Sequence, residues 1–419
     1  MNNTSVPREA QPLSQRLVDS VMNLWENIGH AAISARSLTQ NAGAPISTLY
    51  NHFPSLDDVF LMAQEDAMDQ ARQWCARQLE QLPDHGDGTL VAGDLAPIMA
   101  AVIDEWTHAQ RRLAFAWREG FLLAQRDPRF IPCWQGWRAL WRGFWQHVCE
   151  HCGLAPYGDL TSFVFEGEAA LHMLPGRRIL DRACLDDLCH GWATWLSGKL
   201  VSEGPWRSRA RQQALATSPD LAIHDDTTRR IADAAADVVE QRGIAKLTHR
   251  AVAATAGVSL GMVSSRFRTS VDLLRGAFET IYHRISQQSP DAVQSVAPLL
   301  DADKLAQLVP QLTGEFFNHT HRLALEELML ATARTPDFQP FAPQLRYLRG
   351  RTSGQILQLL AGPDIVVSPL DAALFSDLLA GMQRDGFDLS PQSRGSLGRG
   401  YLTRIAQLLG LPLWVFEQA

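Results

Sequence analysis

Lysine is nearly missing from this chain: Lys199, Lys246 and Lys304 are the only three among 419 residues. Positive charge therefore rests on arginine, and acidic residues still outnumber basic ones, giving a net charge of −7 and a pI near 6.0. That balance excludes a protein that coats nucleic acid along its whole surface, while leaving room for a local basic face. Cysteine is absent after Cys189, and the six present are Cys75, Cys133, Cys149, Cys152, Cys184 and Cys189. A chain of this length has no need of a disulfide framework, so reduced thiols are expected. No uninterrupted apolar run reaches the roughly 18 residues a membrane span needs. The stretch Met1 to Gln15 is polar, with Pro7 and Pro12, rather than basic and then apolar. Together these absences predict a cytoplasmic protein with no membrane partner. There is also no phosphate-cradling glycine loop, no Gly-x-Ser-x-Gly elbow, no His-Glu-x-x-His pair and no series of strand-like segments. Hence no catalytic residue, cofactor or metal is expected, and an enzyme is the disfavoured class.

What is present is a globular composition, 46% hydrophobic and 20% charged, in a chain long enough for about three domains of roughly 150 residues. Its main feature is internal repetition. Leu17 to Phe60 aligns without a gap on Ile231 to Leu274, at an offset of 214 residues (Gly43 opposite Gly257). Leu17, Val21, Leu24 and Ile28 recur at helical spacing in the first copy, and Ile231, Ala235, Val238 and Val239 fill a similar stripe in the second. Each stripe meets a glycine, Gly29 or Gly243, as a helix end should. Ser34 and Thr248 stand where they would cap a short second helix, with Arg36 and Arg250 following. Ala42-Gly43 and Ala256-Gly257 supply the positive φ of a tight corner. A third short helix follows each corner. Its expected buried sides are Ile46, Leu49 and Phe53, and Leu260, Val263 and Phe267; Ser47, Thr48, Tyr50, Asn51 and His52, and Gly261, Met262, Ser264, Ser265 and Arg266, should then point outward.

The strings Ala42 to Phe53 and Ala256 to Phe267 resemble the recognition-helix signature of TetR-family transcriptional regulators. Asp58-Val59-Phe60 and Asp272-Leu273-Leu274 stand where that family starts its connecting helix. The bodies echo one another as well: Arg112-Leu113-Ala114 with Arg322-Leu323-Ala324, Pro128 and Phe130 with Pro336 and Phe338, and Met173, Leu188, Gly191 and Trp192 with Met382, Leu397, Gly400 and Tyr401. The resemblance thus implies an all-α chain of two tandem TetR-like units: a helix-turn-helix head over 1–62, a helical ligand-binding and dimerisation-like body over 63–215, a second head over 216–276 and a second body over 277–419. The junction from Ser202 to Asp226 holds Gly204-Pro205, Ser218-Pro219 and Arg207, Arg209 and Arg211. It reads as a helical end with a solvated basic face, followed by an exposed connection.

A recognition helix presents side chains to base edges while its neighbours grip phosphates. In the first head the resemblance implies phosphate contacts from Tyr50 and His52, Ser47 and Thr48 nearest the bases, Asn51 on the same exposed face and Arg36 at a base or phosphate. In the second, Thr248, Arg250, Gly261, Met262, Ser264, Ser265, Arg266 and Arg268 form the corresponding face, with Met262 suited to a thymine methyl. Two departures stand out. The lysine usual after the helix is missing, the positions reading Ser55-Leu56-Asp57 and Thr269-Ser270-Val271, and Ser264 replaces a tyrosine. Leu13 to Phe60 has two basic residues against four acidic, while Thr227 to Leu274 has seven against four, so the second head should dominate binding. Unlike faces predict an asymmetric double-stranded DNA operator, read in successive major grooves roughly 34 Å apart.

The first body is rich in tryptophan. Trp134, Trp137, Trp141, Phe144 and Trp145 recur at helical spacing, with Trp106, Trp117 and Phe121 upstream. Such a stripe reads first as core. The sharper alternative is a pocket for a hydrophobic or aromatic effector built from Trp106, Trp117, Phe121, Trp137, Trp141 and His172, with Glu105, Arg118 and Glu119 at its rim. The resemblance further implies a four-helix dimer bundle, in which Phe163 to Leu174 and Leu185 to Leu200 pair with Leu374 to Met382 and Leu397 to Leu409. Fusion would satisfy that pairing inside one chain as a pseudo-two-fold monomer, a homodimer being the alternative. The cluster of His147, Cys149, His151, Cys152, Cys184, Cys189 and His190 suggests metal or redox chemistry. It lacks a second paired motif, however, and reads instead as interior and helix-end residues. The functional expectation is a repressor released by a small effector; a helical partner-binding protein in which only the second head, or neither, binds DNA is the runner-up.

Overall fold

The computed structural model describes residues 12–83, 90–201, 203–217, 225–287 and 319–411. Among them the chain is all-α, with nineteen α-helices and no strand. No helix among them is long and apolar enough to cross a membrane. By its contacts the chain divides into two compact units, residues 1–81 with 108–140, and residues 82–107 with 141–419. This division does not follow the four segments read from the sequence: the first body is shared out, and the second head lies in the same unit as the second body.

In the first unit, α1 (Leu13–Asn27) buries Leu17, Val18, Val21, Met22, Leu24 and Trp25 and packs on α2 (Ala35–Ala42), α4 (Leu56–Leu79) and α6 (Arg111–Arg126). The Trp25 ring lies 5.8 Å from that of Phe60. Gln64 of α4, fully buried, joins two further helices: its Nε2 donates to the Ala116 carbonyl (2.9 Å), and its Oε1 accepts from Trp137 Nε1 (2.8 Å) on α7 (Ile131–His151). A buried amide satisfied at both ends fixes register as well as adding stability.

The second unit holds α5 (Leu95–His108) up to Thr107, the later part of α7, and α8 (Gly158–His172), α9 (Arg178–Leu196) and α10 (Pro205–Ala216). The second head follows as α11 (Asp226–Arg242), α12 (His249–Ala256) and α13 (Leu260–Arg266), then α14 (Ser270–Gln287) and α15 (His319–Arg334). The last helices are α16 (Ala342–Tyr347), α17 (Arg351–Ala361), α18 (Pro369–Asp385) and α19 (Pro391–Leu409). α11 packs on α12, α14 and α15, and α14 packs on α15. That is the neighbour set of α1 in the first unit.

At the centre of this unit α8 crosses α18 with two glycines at the contact. A Cβ on Gly167 would lie 2.6 Å from Asp377 Cβ, and one on Gly381 would lie 2.4 Å from Phe163 Cβ. The offset of 214 that relates the two heads turns the first contact into the second, since it carries Phe163 to Asp377 and Gly167 to Gly381, whereas the sequence match of Met173 with Met382 had set the bodies at 209. An antiparallel pair brings such contacts together whatever its origin; the shared offset is the additional fact. α18 also packs on α9 and α19, and α19 on α9. These are the segments whose pairing was expected.

α10 is not the solvated basic face expected of the junction. It packs on α9 and α16, burying Ala210 and Ala214 with Cys184, Tyr347 and Leu348. Arg207 is buried, its Nη1 3.5 Å from Glu168 and its Nη2 donating to the Arg346 carbonyl. Ser218-Pro219 lies outside the described residues.

Candidate nucleic-acid interface

The corner of each head is built by local chemistry. Ser34 caps α2, its hydroxyl accepting from Ser37 N while its own N–H donates to Ser37 Oγ at 2.8 Å. Thr248 caps α12 by accepting from Ala251 N at 3.1 Å. α2 then ends at Gly43 with φ 65° and ψ 41°, and α12 ends at Gly257 with φ 63° and ψ 37°. Both lie in the left-handed region that glycine enters without steric cost. Gly29 and Gly243 match as closely, at φ 77° and 82°. At the positions just after the short helices, Ser55 and Thr269 cap the next ones: Ser55 accepts from Asp58 N and Thr269 Oγ1 from Asp272 N.

In the first head, α3 (Ile46–His52) is anchored by Leu49 and Phe53. Ser47, Tyr50, Asn51 and His52 are exposed, Thr48 is half-buried, and Arg36 is exposed on α2. Ile46 was expected inside but is 46% exposed, as is its counterpart Leu260. In each short helix the first turn stays half open and only the later apolar residues, Leu49 with Phe53 and Val263 with Phe267, reach the core. Arg16 is spent internally, its Nη2 donating to the Gly43 carbonyl at 3.0 Å. Asp57 pairs with Arg129 at 2.7 Å.

In the second head, Val263 and Phe267 anchor α13. Thr248, Arg250, Gly261, Met262, Ser264, Ser265, Arg266 and Arg268 are all exposed. Arg266 is nevertheless engaged, its Nη1 donating to Asp225 and to Thr228 Oγ1. His249 Nε2 lies 2.7 Å from the Phe267 carbonyl and braces α12 against the end of α13. The sequence reading missed both Asp225 and His249.

Each head is also pinned to a body helix by a buried glutamate that sequence reasoning did not assign to this task. The backbone N–H of His30, just past Gly29, donates to Glu119 Oε2 of α6 at 3.2 Å, and the His30 ring meets the same oxygen. The N–H of Ile244, just past Gly243, donates to Glu327 Oε2 of α15 at 2.8 Å. The alignment of Arg112-Leu113-Ala114 with Arg322-Leu323-Ala324, followed downstream through its gap, was the available signal.

The residues expected to line an effector pocket are all interior. In the first unit, Trp117, Phe121 and Trp137 are buried; Phe121 packs on Trp134 at 4.8 Å, and the buried Arg118 guanidinium lies over Trp117 at 5.2 Å. In the second unit, Trp141 stacks edge-on to Trp106 at 4.8 Å and packs on Phe165 at 4.2 Å. His172 is buried with Nε2 3.2 Å from Asp104, while Glu105 is exposed. Trp106, Trp117, Trp137 and Trp141 are each 0% exposed, so no face of these rings is open even to water and a ligand would have to repack them. Glu119, expected at a pocket rim, instead serves the head.

The cysteine and histidine cluster separates by burial. All six thiols are buried, and burial pushes Cys149 up to about 12 and Cys152 and Cys184 up to about 11. The His147, His151 and His190 rings bond carbonyls one turn back in their own helices. Thiols held protonated are poor metal ligands and poor nucleophiles. No protein-family model matches the chain, and no curated protein matches it.

Proposed function

We propose that the chain is a DNA-binding transcriptional regulator of TetR-like organisation, with two unlike helix-turn-helix heads and two helical bodies fused as a pseudo-two-fold monomer. One observation carries the reading. The same corner geometry occurs twice at an offset of 214, Gly43 and Gly257 agreeing within a few degrees, and each corner is followed by a seven-residue helix with polar side chains outward. An exposed short helix behind a fixed corner is the form in which side chains enter a major groove. The paired contacts at the α8–α18 crossing support fusion, because they supply within one chain what a two-fold dimer obtains from two.

A small-molecule effector, in this reading, acts by changing how the bodies hold the heads. Glu119 and Glu327 are the contacts through which such a change would pass. Binding shifts the equilibrium only as far as the effector prefers one state over the other. The tight tryptophan packing argues against a preformed pocket at those rings.

The test is duplex selection from a randomised pool with the full chain, followed by gel shift at several salt concentrations. Expected are an asymmetric preferred site, affinity falling steeply with salt, and a sedimentation mass of 46.5 kDa, one chain. No salt-dependent binding to any duplex would refute the reading. A site matched only by the second head would favour its reduced form, which the scarcity of exposed basic residues in the first head already suggests.

A further inference from the structure

Arg266, the last residue of α13, is not a free surface arginine. Its Nη1 is held by Asp225 and by Thr228 Oγ1 at 2.9 Å, with the two ionic side chains 43% and 40% exposed. Asp225 is fixed before the guanidinium arrives. As the N-cap of α11, its Oδ1 accepts from Thr228 N at 2.9 Å and its Oδ2 from Thr228 Oγ1 at 2.9 Å. Those two bonds, and then Arg266, hold its carboxyl down at about 2. The Nε and Nη2 of Arg266 make no hydrogen bond among the described residues. Their N–H groups lie along one side of the planar guanidinium, a fork that fits two adjacent acceptors such as phosphate oxygens or guanine O6 and N7. At the offset of 214 the first head has His52 and Ser14 opposite Arg266 and Thr228, so the arginine fork belongs to the second head alone.

We propose that Asp225 is the positioning residue of the second head: it grips Arg266 by one nitrogen, aims the Nε–Nη2 fork outward and offsets its charge, so that only a well-placed pair of acceptors engages it. This rests on the DNA-binding reading above. An untethered arginine samples many rotamers and reaches for any phosphate. Such indiscriminate contacts are the source of non-specific affinity. Tethering removes much of that entropy in advance, which favours the correct geometry. The neighbouring carboxylate repels misplaced phosphates, which penalises the wrong one. Asp225 thereby gives up raw affinity for discrimination.

Asp225→Asn tests this without unfolding α11, because asparagine caps a helix as well as aspartate does. Anisotropy titrations of the full chain would use the duplex that wild type enriches from a random pool and a scrambled duplex of the same composition. The scrambled duplex should bind about threefold to tenfold tighter, with a steeper salt dependence. The enriched duplex should gain less, so that their ratio falls. In an Arg266→Ala background Asp225→Asn should change neither affinity. An unchanged ratio, or an equal effect with and without Arg266, overturns the role of Asp225 alone. Wild type that binds neither duplex in a salt-dependent way overturns the DNA-binding reading, and this proposal with it.

Discussion

Replacing Gly381 by alanine should break the α8–α18 crossing, while the same replacement at Gly400 should strengthen the chain. A Cβ at 381 would stand 2.5 Å from Phe163 Cα and 2.9 Å from the Phe163 carbonyl oxygen. These are backbone atoms, which cannot swing aside as a side-chain end can. Ordinary carbon contacts need about 3.5 to 4.0 Å, so the helices must part by about 1 Å at their closest point. Phe163 is 1% exposed, and the strain falls in a close-packed core, where overpacking costs roughly 1 to 3 kcal/mol. The helix-propensity gain of Gly→Ala, about 1 kcal/mol, offsets part of this; with backbone atoms in the way the cost lies toward the upper end of the range, leaving a net loss of up to about 2 kcal/mol. At Gly400, inside α19, an added Cβ meets nothing within 4 Å, so only the gain remains. Urea unfolding of both variants, followed by circular dichroism and compared by midpoint, measures the difference. Gly381→Ala as stable as wild type, or Gly400→Ala the worse of the two, would refute the claim that these helices touch through their glycines.

Glu327→Ala should leave the Ile244 N–H without its acceptor at a cost of roughly 1 to 3 kcal/mol, seen as faster hydrogen exchange across 243–247; unchanged exchange there would count against the anchor. Glu119→Ala should do the same at His30. Asp377 is raised from 3.8 to about 7 by burial, the Arg349 guanidinium opposing and the neighbouring Glu168 adding to the shift. The folded chain therefore binds more protons than the unfolded one between those values, and this group's contribution to stability falls as pH rises through that window. Asp377→Asn should flatten that part of the pH profile, and urea midpoints measured across the window in both proteins would show it. On DNA, Arg266→Ala should cost more affinity than His52→Ala; equal losses at fixed salt would refute the dominance of the second head.

The parts of the fold legible in the sequence are those set within one or two turns of chain. Gly43 and Gly257 announce left-handed corners because no other residue takes that backbone as easily. Ser34 and Thr248 announce helix starts because their hydroxyls meet N–H groups three residues on. What the sequence hid depends on distant partners. Arg207 looked like a surface charge, since nothing near it reveals Glu168 or the Arg346 carbonyl. Glu119 looked like a pocket polar group, although its partner His30 lies 89 residues away. Ile46 and Leu260 obeyed the helical spacing and still came out exposed, because periodicity identifies a face but not whether anything covers it. Asp225 escaped notice for the same reason as Arg207: its partner Arg266 is 41 residues distant.

A two-fold dimer must repeat each residue on both sides of its axis. The α8–α18 crossing does not, for the positions related by 214 are Phe163 and Asp377. Phe163 sits against Gly381 with its ring 4.9 Å from Tyr401. Asp377 sits against Gly167, with Arg349 at 2.8 Å and Arg207 and Arg384 also lowering its pKa. A buried carboxylate is tolerated only with such partners; Arg349 and Arg384 come from its own half of the chain, and Arg207 from the other. A two-fold pairing of either half with a copy of itself would set Phe163 or Asp377 on both sides of the axis, and neither is the pairing seen here. On the proposed reading the same freedom extends to the heads. His52 and Arg266 occupy equivalent places and offer different chemistry to a groove, and only Arg266 has an Asp225 behind it. On that same reading, fusion would relieve both the crossing and the operator of two-fold symmetry, so an asymmetric site is what unlike heads on a single chain would read.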